Sequence, residues 1–330
     1  MKILLPDGKG YKANLHGHST DSDGEFSPER IKSFYKGKGY SIYAYTDHLY
    51  MRDRSSLCDE DFVALSGYEN VLCDGRAGEI CKCYHLNFYS PSPSKVGMVG
   101  VSPWFYEIWN KNKTEEEKRL SPVLEFCDEE HSVKNVNAII ESAKKLGYAV
   151  VYNHPVWSLH DYRDYTGLKG LDGMEICNAS FVYGSEPDDQ GVIYDQMLKD
   201  GQRLNCFAND DNHRLSDFYH AYNVMYPEKL NYESVFECLK NGTSYASTGA
   251  TLRGLFADGN KITVCAENAR SIRFSTNARI GAYFCFKDKP LTEATFEING
   301  DYIEYFRVTV EDMNGKKAWT RAYFKDEFDN

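Results

Sequence analysis

The sequence of 330 residues lacks any apolar run approaching the length of a membrane-spanning helix. Its opening, MKILLPDGKG, offers only Ile3, Leu4 and Leu5 before Pro6 and Asp7 intervene. It does not read as a signal peptide, so the expected compartment is the cytoplasm. An excess of positive charge is also missing: 38 Lys and Arg stand against 49 Asp and Glu, for a formal net charge of -11. Such a surface is not built to neutralise nucleic-acid phosphates, and an anionic substrate would need a local positive source. There is no cysteine framework either. The ten cysteines are scattered, and only Cys81 and Cys83 lie close together, which resembles neither a disulfide scaffold nor a zinc ribbon. The expectation is reduced, mostly buried thiols.

What is present is enough apolar residue, 42% of the chain, to bury a full-sized core and to divide into two domains. Up to about residue 245, short β-type runs alternate with amphipathic helical stretches, the order of an α/β fold with parallel strands. SPERIKSFYKGKGY has Ser27 as N-cap, Pro28 at the first helical position and glycines 37 and 39 at the exit. HSVKNVNAIIESAKKLG starts at Ser132 and stops at Gly147. Each helix leads into a strand-like run ending in histidine, YSIYAYTDH and YAVVYNHP. GLDGMEICN and RLNCFANDDNH end in the same polar manner. In parallel α/β folds the C-terminal strand ends converge on the ligand site, so these histidines should meet. The proline-rich and aromatic segment between His85 and Ser132 reads as a cover over the rim, or as a lid. Beyond residue 248, period-2 runs such as KITVCAE, SIRFSTN and GAYFCFKD, with an Asn314-Gly315 hairpin signal, predict a small antiparallel β-sandwich. The expected division is therefore 1–248 and 249–330.

His16 and His18 lie two apart in extended chain, so both imidazoles face one side. Alone they signify little. Six of the nine histidines, however, sit in short polar motifs at predicted strand ends: His16, His18, His48, His85, His154 and His213. Asp23, Asp47, Glu69, Asp210 and Asp211 accompany them. Mixed imidazole and carboxylate donors suit zinc, manganese or iron.

The motifs LHGH, SDGEFSPE, YTDH, GYE, NHP and DNH, in this order over roughly 245 residues, resemble the polymerase and histidinol phosphatase (PHP) family. The resemblance implies a distorted (β/α)7 barrel whose strand ends hold two to three divalent ions. It assigns His16, His18, Glu69 and Asp211 to a first metal. Glu69 would bridge to a second, held by His85 and His154, and a third would be held by Asp23, His48 and His213. Asp23 stands where some members have histidine, Asn14 where aspartate is common, and Asn209-Asp210 where a glycine-serine pair is common. Side-chain alternation favours Asp211 over Asp210 as the ligand, and Asp47 is expected to orient an imidazole. Glu175 is given no ligand role; it would hydrogen-bond a ligand histidine or fix a loop.

The implied chemistry is phosphoester hydrolysis by a metal-bridging hydroxide, with no side-chain nucleophile. The expected substrate is a phosphomonoester or small nucleotide whose leaving group sits under the stretch from Trp104 to Trp109. Arg214, His160 and Arg163 are candidates to grip the phosphate. The alternatives are a nuclease acting on nucleic-acid ends, which the acidic balance disfavours, and a non-catalytic binding module stabilised by metal. The partner expected is a small phosphorylated molecule, with no membrane involved.

Overall fold

The structure is a computed structural model that describes residues 1–75, 80–180 and 190–328. Seventeen strands of the described residues form one sheet. In its α/β half these are β2 (Tyr11–Asn14), β3 (Tyr40–Tyr45), β4 (Val63–Cys73), β5 (Cys83–Tyr89), β6 (Ala149–Tyr152), β7 (Gly173–Asn178), β8 (Asn205–Asn209) and β9 (Tyr222–Met225). The steps β2-β3-β4 and β6-β7-β8 are parallel. Helices α1 (Pro28–Gly37), α2 (Pro103–Asn110), α3 (Glu115–Leu120), α4 (Val133–Lys145), α5 (Tyr162–Tyr165), α6 (Gln190–Lys199) and α7 (Tyr232–Asn241) surround them. The start signals work as anticipated: Ser27 accepts from Arg30 N and Ser132 from Asn135 N, each closing a free helix N-terminus.

The α/β order is as expected, but the ladders of the described residues do not close into a (β/α)7 barrel. Among the described residues no helix lies between β4 and β5, and β5 runs antiparallel to both β4 and β6. No ladder of the described residues joins β8 to β9 or to β2, and the sheet is not closed. Side chains span that gap. Asn223 accepts from Ala208 N at 3.0 Å and donates to Ala208 O at 2.9 Å, imitating a neighbouring strand. Asn209 accepts from Leu15 N at 2.9 Å, and a lone parallel bridge pairs Gly17 with Asn212.

The other half is antiparallel, as its alternation predicts, but it is continuous with the first. β10 (Ser244–Ser247) pairs with β9 on one side and with β16 (Lys317–Thr320) on the other. β1 (Lys2–Leu5) crosses the boundary drawn at 248 by pairing with β11 (Leu252–Asp258). KITVCAE and SIRFSTN prove to be one strand, β12 (Lys261–Thr276). Its first part pairs with β11 and β14 (Leu291–Glu297), and its second with β13 (Ala282–Cys285) and β15 (Tyr305–Asp312). The register slips between Cys265 and Ala269, where Asn268 takes a positive φ of 50°. Ile262, Val264, Ile272 and Phe274 from both parts share one core with Phe306, Val308 and Val310.

The cysteine expectation needs correction. Cys73 and Cys83 face each other across the β4-β5 ladder, Cα atoms 4.0 Å apart, and are disulfide-bonded. Of the others only Cys177, Cys206 and Cys238 are buried, and Cys285 is exposed. Strand pairing, invisible in the sequence, is what brings the bonded pair together. Among the described residues no helix is long and apolar enough to cross a membrane.

Candidate metal centre

Six strands of the α/β half deliver polar residues to one end of the sheet. His16 and His18 follow β2, His48 follows β3, Glu69 and His85 lie within β4 and β5, His154 follows β6, and Asp211 and His213 follow β8. Gly17 between the first two histidines permits a close approach. A Cβ there would lie 2.0 Å from Tyr43 Oη and 2.3 Å from Asn212 Oδ1, in a stretch that hydrogen-bonds the chain after β8.

The nine side chains that the motifs single out converge. Glu69, buried, lies 3.2 Å from His16 Nε2, 3.4 Å from His18 Nε2, 3.2 Å from His48 Nδ1, 3.1 Å from His85 Nδ1 and 3.3 Å from His154 Nε2. Asp211 approaches His16 Nε2 at 3.2 Å and His18 Nε2 at 3.0 Å. Asp23 lies 3.4 Å from His213 Nε2 and 3.9 Å from His48 Nε2. The donor atoms fall into overlapping clusters, each within 4.8 Å: His16, His18 and Glu69; His16, His154 and Asp211; His48, Glu69 and His85; and His18, Asp23, His48 and His213. The partition differs from the one the resemblance implies, because His18 joins the Asp23 cluster and His48 reaches both sides.

Two observations show that these groups suit cations. First, His48 Nδ1, His85 Nδ1 and Asp211 Oδ1 are buried and close to polar neighbours yet make no hydrogen bond. Unsatisfied buried polar atoms are costly unless something else meets them. Second, the far nitrogens are committed. Glu175 accepts from His16 Nδ1 at 2.8 Å and the Asp211 carbonyl accepts from His213 Nδ1 at 3.0 Å, which directs each Nε2 into the cluster.

The electrostatics agree. Burial alone would neutralise Glu69 and Asp211, but the imidazoles of His16, His85 and His48 hold the first, and of His16, His18 and His213 the second, well below the usual carboxylate range. Burial also disfavours charge on His16 and His154, yet the surrounding carboxylates raise both. His213 is raised to about 9, its burial outweighed mainly by Asp23. His48 is pushed down to about 3 by burial and by the neighbouring His18.

Several secondary assignments sharpen. Asp210 points away from the cluster and accepts from Tyr35 Oη at 2.8 Å and from the amides of Tyr219, His220 and Ala221. Asp211, at φ 50°, turns its carboxylate the other way. Asp47 does not orient an imidazole. It accepts from Ser19 N at 2.7 Å and Arg54 Nη2 at 2.9 Å, pinning the loop that carries Asp23. Glu175 fills both roles considered for it, since besides His16 it accepts from Asn209 Nδ2 at 2.8 Å and His154 N at 3.2 Å.

The cluster floors a cavity of about 400 Å³. Trp109 lies over His48, ring centroids 4.5 Å apart, and Trp157 stands edge-on to His85 and His154 at 5.1 and 5.2 Å. Phe105 joins them on the wall, so the 103–110 helix does cover the site, although Trp104 lines a neighbouring hollow instead. None of the three anion-binding candidates lines the cavity. Arg163 is exposed and paired with Asp161 at 2.7 Å, and Arg214 is exposed. His160 is buried, hydrogen-bonded to Tyr152 and packed on Tyr84. Sequence reasoning missed Asn153, which donates to Glu69 Oε1 at 2.7 Å, Arg54 and Trp157. Asn153 and Trp157 flank His154 in NHPVW, so proximity to that motif was the available signal; Arg54 had none.

No family model and no curated protein matches the chain. Among solved structures, it is similar to a two-domain protein containing a predicted PHP-like metal-dependent phosphoesterase from Bacteroides vulgatus, at 16% identity, 98% coverage of both chains and a TM-score of 0.46. A structure from Bifidobacterium adolescentis, named as a candidate metal-dependent phosphoesterase, matches at 14% identity over 63% of this chain and 89% of that one, with a TM-score of 0.41. An amidohydrolase from Chromobacterium violaceum, with bound sulfate and no metal, matches at 14% over 62% and 88%, with a TM-score of 0.40. Likeness at this level carries no argument, and the functional reading rests on the side chains.

Proposed function

We propose that the chain is a metal-dependent hydrolase acting on a phosphoester, a phosphomonoester or small nucleotide. The observation that supports this most is Glu69, a single buried carboxylate within 3.4 Å of five imidazoles at the floor of an open cavity. A carboxylate with both oxygens engaged suits two ions at once, Oε1 facing His16, His85 and His154 and Oε2 facing His18 and His48; by the PHP-like motifs His16, His18 and Asp211 would hold one ion and His85 and His154 the other. Asp23, His48 and His213 suit a third. Divalent cations bound there supply Lewis acidity towards a phosphoryl oxygen and lower the pKa of water, the two things hydrolysis at neutral pH requires.

The protein's own contribution is placement and exclusion. Glu175 and the Asp211 carbonyl fix the His16 and His213 rings with the correct nitrogen inward. Asn153 holds Glu69, and Trp109, Trp157 and Phe105 keep bulk water from one wall while offering apolar surface to a leaving group. No Lys or Arg of the described residues lines the cavity, so the phosphate's charge would be met by the bound cations. That same lack disfavours the nuclease reading, for which a basic track is expected. The phosphoester class follows the PHP-like order of motifs.

The test is a phosphoester panel assayed with protein of known metal content, reconstituted with Zn²⁺, Mn²⁺ or Fe²⁺. Hydrolysis that disappears in His16→Ala while the fold persists is the expected result. A fully loaded protein that leaves every phosphoester intact would overturn the assignment and favour a non-catalytic binding module.

A further inference from the structure

The donors of the nine-residue centre are nitrogen and oxygen, yet a second cluster of different chemistry stands beside it. The sulfurs of Cys73, Cys81 and Cys83 all lie within 4.8 Å of one another. Glu69, Val71 and Cys73 occupy alternate positions on β4, opposite Asn87, His85 and Cys83 on β5. The cysteine pair is thus one alternation beyond the Val71-His85 pair, about 6.6 Å along the strands. Cys73 and Cys83 line the same cavity as Glu69 and His85.

We propose that Cys73, Cys81 and Cys83 form a thiolate site for a thiophilic cation of the zinc group, available only when the Cys73–Cys83 bond is reduced. A tetrahedral Zn²⁺ with Zn–S bonds of about 2.3 Å needs sulfurs about 3.8 Å apart, within the spacing these three can span. The fourth position is left for water or a small ligand. Opening the site takes two electrons and two protons from a dithiol reductant: the Cys73–Cys83 bond breaks, both sulfurs become thiols, and the reductant closes its own disulfide. Cation binding then displaces the thiol protons to solvent. Disulfide and bound cation are mutually exclusive states of one cluster, and both tie the end of β4 to the end of β5. The soft donor set separates this site from the centre next to it, where imidazole and carboxylate accept harder ions.

The experiment uses the full chain, reduced with a phosphine that is then removed, and titrates it with Cd²⁺ while following sulfur-to-cadmium charge-transfer absorption. The imidazole and carboxylate centre cannot produce this band, so the outcome is independent of the phosphoester reading. The expected result is a band that saturates in the reduced protein and is absent from the oxidised protein. Cys81→Ser should weaken Cd²⁺ binding roughly tenfold or more by removing one of three thiolates, and Cys285→Ser should leave the band intact. Cys81 is half-buried and outside the strands, so its replacement spares the ladder. A reduced protein without the band, or a Cys81→Ser protein that keeps it at unchanged affinity, would overturn the proposal.

Discussion

In the α/β half, the strand ends bury His16, His18, Glu69, His85 and His154 together, with polar atoms that make no hydrogen bond. The antiparallel half buries Ile262, Val264, Ile272, Phe274, Phe306 and Val308 in an apolar core. The donor clusters of the described residues all fall in the first half. Both halves belong to one sheet, but only the α/β half has parallel steps that send successive polar strand ends to one side. A core of the second kind stabilises the chain by removing apolar surface from water. A cluster of the first kind works against stability until a cation satisfies it, and its presence is therefore the better indication of function.

The comparison can be broken first at Glu69. Glu69→Gln keeps the shape and removes the charge that all five imidazoles face; bound metal and turnover should fall together, turnover by on the order of a thousandfold, as read by elemental analysis and steady-state assay. Phe274→Ala probes the other half. Phe274 is 1% exposed and packs on Phe296 with centroids 5.5 Å apart, so denaturant unfolding should show a loss of about 3 to 5 kcal/mol, while turnover per folded molecule is unchanged. If Phe274→Ala instead abolished activity in folded protein, the separation of roles would fail.

Smaller changes sharpen the contrast. Glu175→Gln frees His16 to adopt the wrong tautomer, and metal affinity should fall about 10- to 100-fold in a competition titration with a chelator. His160 tests burial without a metal role. Its pKa is pushed down to about 3, chiefly by burial. Below the ordinary value near 6.5 the unfolded chain takes up a proton that the folded chain refuses, so His160 costs stability progressively as pH falls from about 6.5 towards 3, and costs nothing above that window. Urea unfolding at pH 7 and near pH 4.5 should show this loss, up to about 2 kcal/mol, shrinking in His160→Asn. The smallest effects belong to Arg163→Ala and Arg214→Ala, both exposed and outside the cavity: KM should stay within about twofold of the parent, and a larger rise would return them to the site.

Much of this was legible from residue order. Helix starts at Ser27 and Ser132 follow from local capping, which needs no tertiary information. The histidines at strand ends follow from period and topology, because a parallel α/β arrangement sends successive strand ends to one side. Alternation favours Asp211 over its neighbour, but both lie beyond β8, and the positive φ of Asp211 is what turns the two carboxylates apart, with Asp210 meeting the amides of Tyr219 and Ala221 instead.

The rest depended on contacts between distant residues. That β5 reverses, that Asn223 spans the open edge, that β1 pairs with β11, and that Cys73 meets Cys83 are all matters of which strands find each other. The same holds for Arg54, which reaches Asp21 and Asp47 from a stretch with no motif. By itself the sequence determined which polar side chains stand at strand ends and roughly where each strand ends, since both are local properties of periodicity, capping and residue type. Only the tertiary structure decided how those side chains group, which histidine faces which carboxylate, and where the sheet stops short of closing. Those outcomes are set by packing and hydrogen bonding between segments far apart in the chain, which no local pattern encodes.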